Sequence, residues 1–145
     1  SDVAGPAELK VNSHDGTHSL FEIGEVCHWD APASTLARCQ IKTVTLDQIC
    51  AERSMAHVDI LKLDIQGAEL QALRGARGLL RRHAIGLIAA EVNFVPLYQN
   101  LPLFWDVAAY LLPLGYVFHG LFDLHHTLDS SGGLRWADAI FVAPR

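Results

Sequence analysis

The chain has 145 residues, of which 50% are hydrophobic and 19% charged, a composition typical of a globular domain rather than a disordered or fibrous chain. A domain of this length buries about 70% of the surface that its unfolded chain exposes, so it needs neither disulfides nor a structural metal. Sixteen acidic against eleven basic residues give a net charge of −5. This balance argues against nucleic acid or an anionic membrane as the main partner.

Cysteine usage and hydropathy predict a cytoplasmic protein. Cys27, Cys39 and Cys50 are odd in number and lack the C-x-x-C spacing of a zinc ribbon or redox pair, which favours reduced thiols. The first ten residues contain no basic region followed by an apolar stretch, so no signal peptide is predicted. The richest apolar run, residues 85–95, is interrupted by polar residues and is too short to span a bilayer.

The first third of the chain predicts two strands and a helix. Alternating residues predict a strand at 7–12, and the polar residues 13–19 predict a loop. Residues 24–38 show no clear period and predict a long connection. A short strand at 41–44 precedes Thr45 and Gln48, whose spacing fits a capping box that opens a helix to about Arg53.

A strand, a helix and a second strand are predicted in the middle of the chain. Residues 58–64 form a dense aliphatic run, which is typical of a parallel strand covered on both faces. After Gly67, helical spacing puts Leu70, Leu73, Ala76 and Leu80 on one side. A second apolar run at 85–92 completes a βαβ unit, whose crossover is right-handed in about 98% of cases.

The last third predicts a helix and a closing hairpin. The helix covers residues 101–112, with Asn100 as its cap and Pro113 and Gly115 ending it. Strands are predicted at 116–122 and 137–143, separated by turn residues at 129–133. The inner face of the helix is formed by Phe104, Val107, Ala108 and Leu111. The fold class is therefore α/β with a mixed, mainly parallel sheet and an antiparallel closing hairpin.

Two acids follow the central strands at their carboxyl ends, where open α/β sheets bind ligands. Asp64 ends the first strand and Glu91 the second, and a strand spacing of about 4.8 Å would put both carboxylates within reach of one ligand. Gln66 and Gly67 add a side-chain amide and backbone N–H groups. The pair could accept a proton, hold a divalent cation or bind substrate hydroxyls, and the residues alone leave these three open.

Other polar residues have structural explanations that weigh against a functional one. Glu69 lies in the first helical turn, where an acid gains about 0.3–1 kcal/mol from the helix dipole, and Asn93 could simply line the sheet's mouth. Asp47 is interpreted as a helix-start residue and Asp138 as structural. The arginines of the central helix are interpreted as a solvated face; they are Arg74, Arg77, Arg81 and Arg82.

Several ligand-binding motifs are absent from the sequence. The histidines at 119, 125 and 126, near Asp123, match no zinc-ligand spacing, so they are interpreted as a solvated loop and no metal site is predicted. The sequence contains no G-x-G-x-x-G, no GxxxxGK[ST] and no G-x-S-x-G. Hydride transfer, nucleoside triphosphate hydrolysis and serine-hydrolase chemistry therefore lose their main sequence support.

The string ILKLDIQGAEL at residues 60–70, followed by ALRGA at 72–76, resembles the LKIDVEGAE-x-x-x-L-x-G-A signature of FkbM-type methyltransferases. Supporting similarities occur in the family's order along nearly the whole chain. They are SDVAGPAELKVNSHDGTHSL at 1–20, VTLD at 44–47, AEVNFVPLY at 90–98, LGY at 114–116 and ADAIFV at 137–142.

The resemblance implies a Rossmann-like fold that binds S-adenosylmethionine and methylates a hydroxyl oxygen, commonly on a sugar or natural product. Asp64 would lie near the methyl donor and acceptor, and Glu91 would be the acid that ends the next strand. The implied roles are catalysis for Asp64 and Glu91, cofactor binding for Gln66 and Gly67, and substrate binding for Glu69 and Asn93. The expected partner is a small-molecule or glycan acceptor.

The resemblance also implies that residues 1–145 correspond to the carboxy-terminal two-thirds of the family's domain. The glycine-rich cofactor loop and the first cofactor-binding strands would lie upstream of residue 1. Two explanations remain open: an excerpt of a longer enzyme, or a truncated, non-catalytic homologue that binds a ligand or another chain. If the chain stands alone, its uncovered sheet edge predicts a homo-oligomer, because such edges pair with other chains.

Overall fold

The computed structural model describes residues 1–24, 34–126 and 132–144. Six strands and four helices are present in this part of the chain. In order they are β1 (Gly5–Asn12), β2 (Thr35–Thr43), α1 (Leu46–Glu52), β3 (Val58–Leu63), α2 (Glu69–Arg74), α3 (Arg77–Arg81), β4 (Ile85–Asn93), α4 (Phe104–Leu111), β5 (Val117–His126) and β6 (Leu134–Val142). Cys27 and residues 129–131 of the predicted turn lie outside the described residues.

β1 and β2 form an antiparallel two-stranded sheet. β1 confirms the predicted strand at 7–12, and the predicted strand at 41–44 is confirmed over residues 41–43. β2 begins at Thr35, however, so the prediction of a connection as far as residue 38 is wrong. Most of β2 is solvent-exposed and lacks the apolar alternation that identifies a strand. Its ordering comes instead from pairing with β1 and from the Arg38 guanidinium, which binds the carboxylates of Glu8 and Glu22.

The main sheet has four strands in the order β3-β4-β6-β5. β3 and β4 are parallel, whereas β6 runs antiparallel to both β4 and β5. The α/β class and the antiparallel hairpin are thus confirmed, but the sheet is not mainly parallel. The closing strand β6 lies between β4 and β5 rather than at the edge, because its alternate residues Ala137, Ala139 and Phe141 are fully buried in the core.

The predicted central helix is divided into α2 and α3. Its apolar residues Leu70, Leu73, Ala76 and Leu80 are all buried, as predicted. The helix breaks because Asp47 binds at this point: its backbone N–H donates to the carbonyl of residue 75 (2.9 Å), and its carboxylate accepts from two N–H groups at the start of α3. Asp47 is a helix-start residue of α1, as predicted, and it also caps α3.

α4 starts three residues later than predicted. Its N-cap is Leu103, whose N–H donates to the Asp106 carboxylate at 2.8 Å, so the prediction of Asn100 as the cap is wrong. The predicted inner face is confirmed, because Phe104, Val107, Ala108 and Leu111 are all buried. A 3₁₀ turn at Leu112–Leu114 and Gly115, at φ +92°, end the helix.

The helices pack against one face of the main sheet. This face contributes Ile88, Ala90 and Val92 of β4 to a core that also contains the apolar residues of α2, α3 and α4. On β3, however, Ile60 is 65% exposed, so the prediction of a strand covered on both faces is wrong. β3 is an edge strand of the described sheet and has helices on one side only.

Two further findings concern cysteines and membranes. Cys39 and Cys50 are free thiols. No helix in the described ranges is long and apolar enough to cross a membrane.

Candidate functional site

Asp64 and Glu91 lie at the carboxyl ends of the parallel strands β3 and β4, and the side chain of Gln66 joins them. The Gln66 Nε2 group donates to Asp64 Oδ1 and to Glu91 Oε1, each at 3.2 Å. An amide nitrogen has two hydrogens, so it can satisfy one oxygen of each carboxylate. The structure therefore brings together the two acids that the sequence singled out.

Gln66 is held in place from three directions. Its backbone has φ +52°, a left-handed conformation that a non-glycine residue rarely adopts. Its carbonyl accepts from Ser19 Oγ at 2.6 Å. The Tyr98 hydroxyl lies 2.9 Å from Gln66 Oε1, to which it can donate, and this contact orients the amide nitrogen towards the acids.

Tyr98 is a site residue that the sequence analysis did not single out. It is 2% exposed, and its hydroxyl also lies 3.0 Å from the carbonyl of Thr17. Tyr98 does belong to the AEVNFVPLY string that resembles the family. An aromatic residue in such an apolar string is expected to be a core residue, so it was not predicted as part of the site. Ser19 was missed for a different reason, because the polar loop predicted at residues 13–19 explained it without a function.

Glu91 carries the most perturbed carboxylate of this site. Burial raises its pKa to about 7, and the negative charges of Asp64, Glu69 and Asp138 act in the same direction. Asp138 lies directly opposite Glu91 in the β4–β6 register, and it accepts from Lys62 Nζ at 2.5 Å. A carboxylate with a pKa near 7 can take up and release a proton at neutral pH.

Glu69 lies close by but faces the backbone. It is 4% exposed, and its Oε1 accepts from the N–H of Ile65 at 2.8 Å. Burial raises its pKa, while hydrogen bonds from the backbone N–H groups of Ile65, Glu69 and Gly67 oppose that rise. The carboxylate thus stabilises the turn that carries Gln66, and a substrate-binding role stays a prediction.

Gly67 has a packing reason to be glycine. Its φ is +100°, and a Cβ at this position would lie 2.5 Å from Leu101 Cδ1 and 3.3 Å from Phe21 Cδ2. The space beside its α-carbon is thus filled by side chains of the protein. Its predicted contact with a cofactor is not needed to explain its presence, and stays a prediction.

Asn93 ends β4 two residues after Glu91 and is 2% exposed. Its Oδ1 has no hydrogen-bond partner among the described residues. Buried amide oxygens are normally paired, so this oxygen is available to a donor.

A cavity of about 430 Å³ opens beside Asp64 and Gln66. Its polar wall also includes His18 and Ser19, and its apolar wall is formed by Leu9, Leu20, Ile41 and Ile65. This volume is within the range of small-molecule sites. The cavity thus offers an apolar surface for a ring and an acidic end for hydroxyl or cationic groups.

The histidines are placed differently from the predicted loop. His119, His125 and His126 belong to strand β5, where His125 stacks on Trp136 with ring centroids 4.7 Å apart. Within residues 1–24, 34–126 and 132–144, no three His, Cys, Asp or Glu side chains are grouped so that they could hold a metal ion.

The comparison with protein families matches residues 2–118 to the methyltransferase FkbM domain. The chain belongs to the FkbM methyltransferase family. The match covers most of the chain and includes all six predicted site residues, together with Tyr98 and Ser19. Neither the search of curated proteins nor the search of solved structures found a match.

The FkbM match ends at residue 118, early in β5. The resemblance of ADAIFV at 137–142 therefore rests on the sequence alone. Asp138 belongs to this stretch, yet its carboxylate stands opposite Glu91 in the site. Its position on β6 could not be read from the sequence, because it depends on β6 pairing with β4.

Proposed function

We propose that this FkbM-family chain forms the acceptor side of an S-adenosylmethionine-dependent methyltransferase that methylates a hydroxyl oxygen on a small molecule or glycan. The observation that carries the proposal is the pair Asp64 and Glu91, joined by Gln66 at the carboxyl edge of β3 and β4. Family membership supports methyl transfer, and the proton-accepting capacity of Glu91 supports a hydroxyl acceptor.

The residues at the cavity fit S-adenosylmethionine in charge and polarity. The Asp64 carboxylate and the Gln66 amide would hold polar or positively charged parts of the cofactor, and the apolar wall would accept a planar ring. When bound, S-adenosylmethionine supplies an electrophilic methyl group on a positively charged sulfonium.

In the proposed mechanism, Glu91 removes the acceptor's proton. The Glu91 carboxylate is the general base. With a pKa of about 7 it is partly ionised at neutral pH, and it is basic enough to take up the proton of the acceptor's hydroxyl group. Asp64, which is exposed to the cavity, positions the hydroxyl, and the Gln66 amide keeps the two carboxylates at a fixed separation. Orientation of the acceptor oxygen then contributes much of the rate.

Binding and turnover assays test the proposal together. We expect calorimetry to detect S-adenosylmethionine binding, on the 145-residue chain or on a longer polypeptide that contains it, and transfer of a labelled methyl group to a hydroxyl acceptor. Glu91→Gln should lower kcat by about 10²-fold or more, because it removes the general base. The rate should rise with pH through about 7 as Glu91 loses its proton.

Asp59→Asn is the matched control, because Asp59 lies on the same strand as the site but its side chain is 97% exposed. It should leave binding and turnover unchanged. If neither the 145-residue chain nor the longer polypeptide binds S-adenosylmethionine, the proposal is overturned. Full turnover by Glu91→Gln would overturn the assigned role of Glu91.

A second candidate function is association with another copy of this chain. The observation that favours it is β3, an edge strand of the described main sheet that exposes Ile60. An unpaired strand edge with an apolar side chain is a template for pairing. Light scattering at several concentrations tests this candidate.

A further inference from the structure

A second groove lies away from the acids, between α3 and the end of α4. Its volume is about 570 Å³. The basic wall is formed by Arg74, Arg77 and Arg81, and the opposite wall by Ala109, Tyr110 and Leu114. The groove therefore combines a strong positive charge with an apolar surface.

The three arginines of this groove outnumber the acids around them. In the described part of the chain, none of the three arginines forms an ion pair. Arg77 and Arg81 are one helical turn apart, a spacing at which like charges repel. Asp47 lies near but has both carboxylate oxygens bound to N–H groups of α3, and Asp2 is the one acid in the groove wall. The three arginines are solvent-exposed, so their guanidinium groups are accessible to an anion.

Tyr110 adds a hydrogen-bonding group to the same groove. Its hydroxyl oxygen is buried and has no hydrogen-bond partner among the described residues. Buried hydroxyls are normally paired, and an unpaired one is destabilising. Burial raises the pKa of Tyr110, although the charges of Arg77 and Arg74 oppose the rise, so the hydroxyl keeps its proton and can donate it to an acceptor.

We propose that this groove is a binding site for a phosphate ester, a small organic molecule that carries a phosphate group. The guanidinium groups supply planar pairs of N–H donors, which match phosphate oxygens. The Tyr110 hydroxyl oxygen is closed to solvent, so it supplies a further donor only when its side chain shifts towards the bound phosphate. Ala109 and Leu114 would contact the organic part. The arginines are solvent-exposed, as predicted from the sequence, and three of them form one wall of this groove. This inference is independent of the proposed methyl transfer.

Calorimetric titration with phenyl phosphate at low salt tests the site on the 145-residue chain. We expect saturable binding that weakens as salt is added, because the contacts are ionic. Arg77→Ala should weaken binding by about tenfold or more, as expected for a lost hydrogen bond to a charged group. Tyr110→Phe keeps the ring and should also weaken binding. Asp2→Asn should strengthen it, because it removes the negative charge from the wall.

Arg82→Ala is the matched control, because Arg82 is an exposed arginine next to α3 that does not line the groove. It should bind phenyl phosphate as the unchanged chain does. Weaker binding by Arg77→Ala than by Arg82→Ala, with both folded by circular dichroism, would support the site. Equal binding by the two variants, or no saturable binding at all, would overturn it. Inorganic phosphate and benzoate are titrated in parallel; phenyl phosphate binding no tighter than benzoate would overturn the preference for phosphate.

Discussion

At the scale of single residues, Gln66 is the centre of the site. One amide group contacts both acids with its nitrogen and the Tyr98 hydroxyl with its oxygen. A carboxylate at position 66 would add a third negative charge beside Asp64 and Glu91. The amide nitrogen instead lies between the two carboxylates and donates a hydrogen bond to each. The neutral side chain therefore stabilises two acids at one edge of the sheet by donating a hydrogen bond to each.

The first prediction concerns Glu91 and pH. Its folded-state pKa of about 7 lies above the ordinary 4.5, so the folded state binds the proton more tightly than the unfolded state. Its contribution to the free energy of unfolding is therefore fully present below pH 4.5 and is lost as pH rises through 7. Glu91→Gln stays neutral at every pH, so it should exceed the unchanged chain in stability by about 2 kcal/mol at pH 8 and by little at pH 5.

Urea unfolding at pH 5 and pH 8 measures this difference. Glu52→Gln, the same substitution at an exposed acid of α1, should show no such change between the two pH values. A Glu91→Gln effect of the same size at both pH values would contradict the raised pKa.

The sequence predicted part of this site for a clear reason. Asp64 and Glu91 end aliphatic strands, and parallel strands bring their carboxyl ends to one edge. Tyr98, Lys62 and Asp138 could not be found in this way. Tyr98 reaches Gln66 across 32 positions of the chain and Lys62 reaches Asp138 across 76, and no local pattern encodes such contacts.

At the scale of elements, the turn between β3 and α2 is the most constrained segment. Gln66 and Gly67 both have positive φ, and the backbone N–H of Ile65 is bound by Glu69. Leu101 and Phe21 pack where a side chain of residue 67 would begin. The turn thus fixes the orientation of Gln66 through both its backbone and its packing.

The second prediction separates the cost of the positive φ at Gly67 from the cost of the packing around it. Gly67→Ala should lower the free energy of unfolding by about 2 kcal/mol, because the added Cβ must displace Leu101 Cδ1, the end of a flexible side chain, in addition to the cost of a positive φ. Gly16→Ala is the control: φ is +79° there, but no atom lies within 4 Å of the added Cβ, so only the conformational cost of about 1 kcal/mol remains. Thermal or urea unfolding gives both values, and equal losses would contradict the packing argument.

Elements with a strong period were predictable, and those fixed by distant contacts were not. β4 and the buried face of α4 follow directly from their apolar spacing. The break between α2 and α3 does not, because it depends on Asp47, about 30 residues earlier in the chain. β2 was found only in part, because an exposed strand stabilised by its neighbour carries no apolar alternation.

At the scale of the whole molecule, the main sheet is covered by helices on one face only. The main sheet has its helices on one face, and the opposite side of β3 leaves Ile60 exposed. The order β3-β4-β6-β5 could not be predicted, because it depends on which strand β6 joins. The sequence thus predicted the class of the fold but not which strand would lie at the open edge.

The third prediction follows from that edge. The 145-residue chain should self-associate, so its mass by light scattering should rise with concentration. Ile60→Lys should shift the mass towards the monomer, because a charged side chain on an edge strand opposes pairing. Met55→Lys is the control, since Met55 is 43% exposed but lies outside the strands. A monomer mass at every concentration, or equal effects of the two variants, would contradict the prediction.

The contacts of Tyr98 and Ser19 also bear on how the molecule folds. Tyr98 joins Thr17 across 81 positions of the chain, and Ser19 joins Gln66 across 47. Contacts between such distant segments incur a large loop-closure entropy and slow folding. The strands β3 and β4, which pair through a local crossover, can form before these contacts exist. We therefore expect the amide that holds the two acids to be oriented late in folding, after β3 and β4 have paired, so that a partly folded chain would have the acids without their arrangement.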